Sequence, residues 1–152
     1  MNEKVIGLLN DARRRELLAI MQYMQFHYEL EDAGYGKLGD EFKAVAITEM
    51  KHAERLAERI LFLDGVPTSK PEAEVQKGLS IQDQLKVGQH LELETIKMYN
   101  DDASVCAGEG DHVSKSIFEK LLADEEEHLD DFQTRTDLIE KLGNAYIVTL
   151  TA

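Results

Sequence analysis

The chain has 152 residues, of which 43% are hydrophobic, and its 30 acidic and 17 basic residues give a formal net charge of −13. Such a length indicates one ordinary domain, so we expect residues 1–152 to form a single unit with its own core. The acidic balance argues against nucleic acid and anionic lipid as partners. The single cysteine, Cys106, excludes a disulfide framework and favours the reducing cytoplasm. No apolar run approaches the roughly 20 residues of a membrane span.

Four long helices are predicted, because Leu, Ala, Glu, Lys and Gln are plentiful and β-branched residues are sparse. The predicted ranges are 3–32, 38–64, 81–107 and 111–142. Glycines close the first three of these, at Gly34, Gly65 and Gly108. Residues 143–152 are compatible with a short fifth helix, although their β-branched side chains disfavour it.

The connections predict the topology of an all-α protein. The first two helices, and likewise the last two, are joined by short breaks, which favours antiparallel hairpins. The stretch 66–80 holds both prolines and reads as a linker. Its 15 or so residues can reach about 50 Å, whereas a helix of this size is about 40 Å long. The linker can therefore cross the whole bundle, which predicts a ferritin-like four-helix bundle with one long crossover.

The two halves of the chain repeat each other at an offset of 76 residues. The repeated pairs include Glu16 and Glu92, Glu49 and Glu125, His52 and His128, and Tyr23 and Tyr99. The first helix pair is therefore a weak copy of the second.

Each predicted helix carries an apolar stripe with a spacing of three and four residues, and polar side chains interrupt every stripe. The second and fourth stripes contain Glu-x-x-His, and the first and third contain a single Glu. The interrupting residues are Glu16, Glu49, His52, Glu92, Glu125 and His128. All six are expected to point into one bundle interior near its mid-height.

Buried carboxylates need compensation, because unpaired charges in an apolar interior are very costly. Two divalent cations balance four carboxylates, and oxygen and imidazole ligands suit iron or manganese. One Glu from each of two helices, with Glu-x-x-His from the other two, is the di-iron arrangement of ferritin-like bundles. The alternative is a metal-free bundle in which these residues form buried salt bridges.

Four segments make the chain similar to bacterioferritin. They are residues 16–23 (ELLAIMQY), 49–55 (EMKHAER), 59–65 (RILFLDG) and 124–128 (DEEEH). The resemblance covers nearly the whole chain and implies a ferroxidase that oxidises Fe(II) with O2 or H2O2. It also implies storage of ferric mineral in a hollow shell of 24 subunits built from twofold dimers.

The resemblance further implies roles for the six residues as ligands of two iron ions per subunit. Glu49 and Glu125 would bridge the ions. The terminal ligands would be Glu16 with His52, and Glu92 with His128. Tyr23 is expected to face this site, where it is a core tyrosine, a hydrogen-bond donor to a bridging carboxylate, or an electron donor.

Met50 matches the methionine through which the family binds haem b between two subunits. We expect Ala46 and Ala53 to leave room beside it, and Ile20 and Met21 to cover the haem faces. The alternative is a dimer interface packed with methionine.

Ala44 and Thr48 stand where some bacterioferritins carry a cavity-side His and Asp that bind another iron, so iron entry is expected to differ here. Co-assembly with a second subunit type and a ferredoxin-type electron donor are compatible with the resemblance.

The remaining histidines, including His27, are expected at the surface or at helix ends. The main alternative function is a di-iron oxidase or peroxidase of the same superfamily without a storage role.

Overall fold

A computed structural model describes residues 2–152. Its elements are α1 (Glu3–Ala33), α2 (Gly36–Phe62), α3 (Ile81–Gly108), α4 (His112–Leu142), α5 (Asn144–Ile147) and a 3-10 turn (Val148–Leu150). The four long helices confirm the predicted ranges, with each end shifted by two residues or fewer. The short fifth helix is present as a single turn.

Local sequence explains where the helices begin and end. The side chains of Asn2, Ser80 and Asp111 each accept a hydrogen bond from the backbone N–H three residues further on, at the starts of α1, α3 and α4. The first helix ends at Gly34, whose φ of 90° is a left-handed conformation that glycine adopts without strain. These caps fix the lengths of the helices and hence the height of the bundle.

The crossover, residues 63–80, runs alongside α1 in the same direction. At one end the Thr68 N–H donates to Asn10 Oδ1 over 2.8 Å. Further along, the Gln22 side chain donates to the Gln76 carbonyl over 2.9 Å and accepts from the Gln76 N–H over 2.8 Å. The chain therefore climbs the bundle before α3 begins, which makes α2 and α3 parallel and confirms the predicted topology.

Two apolar clusters fill the bundle, one on each side of its middle. One contains Phe26, Phe42 and Phe132, and the other contains Leu9, Leu56 and Phe118 together with the buried thiol of Cys106. The acidic and imidazole residues of the four stripes lie in the layer between the two clusters. Among residues 2–152, no helix combines the length and apolar character needed to cross a bilayer.

Candidate metal centre

The structure brings all six predicted ligands together in the middle layer of the bundle. Each of the four glutamates is only 1% exposed, and His52 and His128 are 4% and 8% exposed. One glutamate comes from α1, one from α3, and a Glu-x-x-His pair comes from each of α2 and α4. Helical spacing places each pair on the inward face, because residues three apart lie on the same side of a helix.

The six side chains form two overlapping groups whose ligand atoms lie within 4.8 Å of one another. The first group is Glu16, Glu49, His52 and Glu125, and the second is Glu49, Glu92, Glu125 and His128. Glu49 and Glu125 belong to both groups, so their carboxylates occupy the only positions among the six that can bridge two cations.

Both imidazoles present Nδ1 to the carboxylates. His52 Nδ1 lies 3.2 Å from Glu125 Oε1 and 3.3 Å from Glu49 Oε1. His128 Nδ1 lies 3.5 Å from Glu49 Oε1 and 3.7 Å from Glu125 Oε1. Nδ1 is therefore the nitrogen that each histidine can offer to a metal ion.

Asp124, which was not among the predicted site residues, holds the opposite side of the His52 ring. Its Oδ2 lies 2.7 Å from His52 Nε2. A carboxylate at this position fixes the proton on Nε2 and leaves a lone pair on Nδ1, as is common for metal-binding histidines. The repeat places Thr48 at the corresponding position of the first half, so the two histidines have different surroundings.

Each of the six residues has one buried polar atom without a hydrogen-bond partner. These atoms are Glu16 Oε2, Glu49 Oε1, His52 Nδ1, Glu92 Oε2, Glu125 Oε1 and His128 Nδ1. Leaving such atoms unpaired is costly, and coordination of cations satisfies all of them at once. Four carboxylates and two imidazoles also match the charge and donor preference of two ferrous ions, so the residues present fit the metal pair.

Burial and crowding give the centre unusual proton affinities. Burial, followed by the charge of Glu16, raises the pKa of both Glu49 and Glu125 well above that of an ordinary glutamate. Burial by itself would lower the pKa of His52, but the closeness of the Glu125, Glu16 and Asp124 carboxylates outweighs it and raises this pKa to about 11. Protons and metal ions therefore compete for the same atoms.

Two tyrosines support the centre from opposite sides. Tyr23 donates from its hydroxyl to Glu92 Oε1 over 2.6 Å, and Tyr99 donates to Glu16 Oε1 over 2.5 Å. Burial, then the charge of the neighbouring glutamate, raises the pKa of both phenols well above the ordinary value, so both remain donors. Tyr23 faces the site as predicted, but it contacts Glu92 rather than one of the shared glutamates. Tyr99 was missed as a site residue, although the repeat pairs it with Tyr23.

Met50 lies outside the centre, on the opposite side of α2, and is 52% exposed. It lines a shallow apolar pocket of about 260 Å³ with Ile20, Met24, Lys43, Ala46 and Ile47.

Ile20 and Ala46 line this pocket with Met50, whereas Met21 and Ala53 do not. Met21 lines a different pocket against residues 70–75 of the crossover, because its position on α1 turns it towards that segment. Ala53 is buried, and its carbonyl accepts a hydrogen bond from Arg13 of α1.

Comparison with known proteins places this fold and site in one family. The family profile described as a ferritin-like domain matches residues 6–142. The bacterioferritin of Desulfovibrio desulfuricans is 40% identical over 147 residues, covering 97% of this chain and 82% of that protein. The bacterioferritin of Rhodobacter capsulatus is 39% identical, covering 98% of this chain and 92% of that protein.

A crystal structure of the Desulfovibrio desulfuricans bacterioferritin, which describes its diiron site in different catalytic states, superposes with a TM-score of 0.96. That structure is 39% identical and covers 98% of this chain and 87% of the other. The class defined by fold and site is thus the ferritin-like di-iron bundle. Within it, the chain belongs to the bacterioferritin family.

Proposed function

We propose that this chain is an iron-storage subunit that oxidises Fe(II) with O2 or H2O2 at the metal centre of its bundle. The observation that carries the proposal is the pair of overlapping ligand groups that share Glu49 and Glu125. Two Fe(II) ions supply two electrons, which with two protons reduce O2 to H2O2 or H2O2 to water.

The residues of the centre bind and position the two ferrous ions. Glu49 and Glu125 would hold both ions, because their carboxylates belong to both ligand groups, and the pair of ions would supply the two electrons that one oxidant molecule takes up. Glu16 with His52, and Glu92 with His128, would complete the two ligand sets. Tyr23 and Tyr99 each donate a hydrogen bond to a terminal glutamate, which restricts the orientation of that carboxylate. The two apolar clusters on either side limit access of water.

The family supports a storage role in an oligomeric shell. We infer a closed shell of 24 subunits built from twofold dimers in the cytoplasm, formed by this chain alone or with a second subunit type. The whole of residues 1–152 then acts as one domain, and a ferredoxin-type protein supplies the electrons for iron release. Thr48 Oγ1 donates to the Ala44 carbonyl over 3.4 Å, so these positions carry no ligands for a third iron.

Haem b is the second cofactor that we infer, with Met50 as its axial ligand from each of two subunits. The exposure of Met50 and the apolar pocket beside it support this assignment. A thioether is a soft ligand that suits haem iron, and two identical ligands require a twofold axis.

Anaerobic loading with Fe(II) followed by oxygen tests the oxidase. We expect fast oxidation to saturate near two iron ions per subunit, because the centre has two ligand groups. Glu49→Ala and His128→Ala should abolish the fast phase, whereas Glu126→Gln, on the exposed side of α4, should keep it. Saturation near one iron, or a normal fast phase in both ligand variants, would contradict the assignment.

Light scattering of the native protein tests the shell. If only monomers or dimers are found in solution, the storage role is excluded and the alternative of a di-iron oxidase or peroxidase remains.

Reconstitution with haem tests the role of Met50. The parent should bind one haem per two subunits. An unchanged haem spectrum in Met50→Leu would show that Met50 is not a haem ligand and only packs at the subunit interface.

A further inference from the structure

We propose that His27, Glu31 and Asp40 form a second metal site, which binds one divalent transition-metal ion at the end of the bundle where α1 passes into α2. A ring nitrogen of His27 and carboxylate oxygens of Glu31 and Asp40 all lie within 4.8 Å of one another. His27 and Glu31 are one helical turn apart on α1, and Asp40 faces them from α2. One ion can therefore contact all three side chains.

The orientation of His27 favours a ligand role. The sequence predicted this residue at the surface or at a helix end, and it lies near the end of α1, where it is only 8% exposed. Its Nδ1 lies 2.8 Å from the carbonyl oxygen of Gly39. A carbonyl only accepts, so Nδ1 carries the proton and Nε2 of the neutral ring keeps a free lone pair. A backbone carbonyl commonly orients metal-binding histidines in this way.

Gly39 makes this contact possible. A β-carbon at this position would lie 3.2 Å from the His27 carbonyl oxygen, closer than side chains ordinarily pack. Glycine thus lets the backbone of α2 approach the imidazole, which holds the ring in place before any ion binds.

The two carboxylates of the cluster have no cationic partner. Among residues 2–152, neither Glu31 nor Asp40 forms an ion pair with a lysine, arginine or histidine. Two like charges this close repel each other, and the attraction of both carboxylates to a bound cation outweighs that repulsion. The cluster is therefore arranged to gain from a positive ion.

The internal repeat shows that the fold itself does not require these three residues. The positions 76 residues further on are Ala103, Ala107 and Ser116, although the same repeat preserves the ligands of the main centre. The cluster is thus an addition to the first helix pair.

One imidazole and two carboxylates select a particular class of ion. Imidazole suits Fe²⁺, Co²⁺ and Zn²⁺ and is a poor ligand for Mg²⁺ or Ca²⁺.

The proposed site is separate from the main metal centre. His27 follows Glu16 by 11 residues on α1, a distance of about 16 Å along the helix. The two sites therefore share no ligand, and the proposal does not depend on the oxidase function.

Zinc titration of the metal-free assembled protein, followed by calorimetry, tests the site. The parent should bind one more Zn²⁺ per subunit than the double variant Glu31→Gln/Asp40→Asn. Asp32→Asn, which removes a neighbouring exposed carboxylate, should behave like the parent. The test compares the number of zinc ions bound per subunit in the parent and in the variant, so its outcome does not depend on how many ions the main centre binds.

The variant His27→Gln provides a second measurement that leaves both carboxylates in place. We expect it to weaken this one site by at least tenfold. Zinc-soaked crystals should show an anomalous peak next to His27. Equal stoichiometry and affinity in the parent and the double variant, or a peak at the carboxylates that survives His27→Gln, would overturn the proposal.

Discussion

Asp124 on α4 reaches across to α2, where its Oδ2 lies 2.7 Å from Nε2 of His52. The contact joins the two Glu-x-x-His helices and sets the direction in which Nδ1 of His52 points. Because Thr48 occupies the corresponding position of the first half, His128 lacks an equivalent carboxylate. The two halves of the metal centre are therefore chemically unequal, despite their repeated ligands.

Asp124→Asn should weaken metal binding at the His52 side of the centre by roughly 10- to 100-fold, because the amide holds the imidazole proton less firmly. Stopped-flow oxidation of Fe(II) should show a slower fast phase at limiting iron. Asp130→Asn, an exposed substitution on the same helix, serves as the control. Equal rates in the two variants would show that the contact has no positioning role.

Metal loading should release protons. The pKa values of Glu49 and Glu125 are raised, mainly by burial, so their carboxyl groups bind protons more tightly than ordinary glutamates do. Metal ligands must lose such protons, so the apparent affinity should rise with pH. Zinc added to weakly buffered protein provides the measurement, and Glu49→Gln should release fewer protons than the parent. Proton uptake on loading would contradict this electrostatic description.

Substituting each of the two tyrosines distinguishes between two roles for Tyr23. Tyr23→Phe and Tyr99→Phe each remove one hydrogen bond to a terminal glutamate. If the hydroxyls only orient carboxylates, both variants should oxidise Fe(II) more slowly, by about tenfold or less. If Tyr23 also donates an electron, a transient radical signal in electron paramagnetic resonance should vanish in Tyr23→Phe and persist in Tyr99→Phe.

Asp102, away from the metal centre, should make stability depend on pH. Burial, followed by the charges of Asp11 and Asp101, raises the pKa of Asp102 to about 7. The folded protein then binds this proton more tightly than the unfolded chain, so stability falls as pH rises from about 4 to about 7.

Asp102→Asn removes that penalty and should raise the free energy of unfolding by about 1–2 kcal/mol above pH 7. Thermal unfolding of metal-free protein at several pH values provides the measurement. Asp101→Asn, which changes an exposed neighbour, should have a smaller effect. An unchanged or lower midpoint for Asp102→Asn at pH 8 would refute the assignment.

Much of the fold could be predicted because its determinants are local. Gly34, Gly65 and Gly108 mark helix ends, and the proline-containing linker is long enough to cross the bundle. The six predicted ligands are polar interruptions of apolar stripes, and the repeat shows them twice. Periodicity therefore located the residues that now lie in one layer.

The missed features depend on the relative rotation of the helices. Asp124 lies beside the apolar stripe of α4, and its contact with His52 exists only because α2 and α4 face each other at that height. The burial of His27 depends on the close approach of Gly39 from the neighbouring helix. Spacing along one helix contains no information about such contacts.

The division of ligands between the two hairpins has a consequence for how the chain is assembled. Each ligand group takes three side chains from one hairpin and one from the other, so every bound ion joins the two halves of the sequence. A bound ion thus acts as an intramolecular cross-link between the two hairpins. If the chain arose by duplication, these hairpins were once separate units. A single hairpin of about 76 residues, paired with a second copy across a twofold axis, would contain every kind of ligand that the centre uses. The chain is in this sense a tethered dimer, and the crossover is its tether.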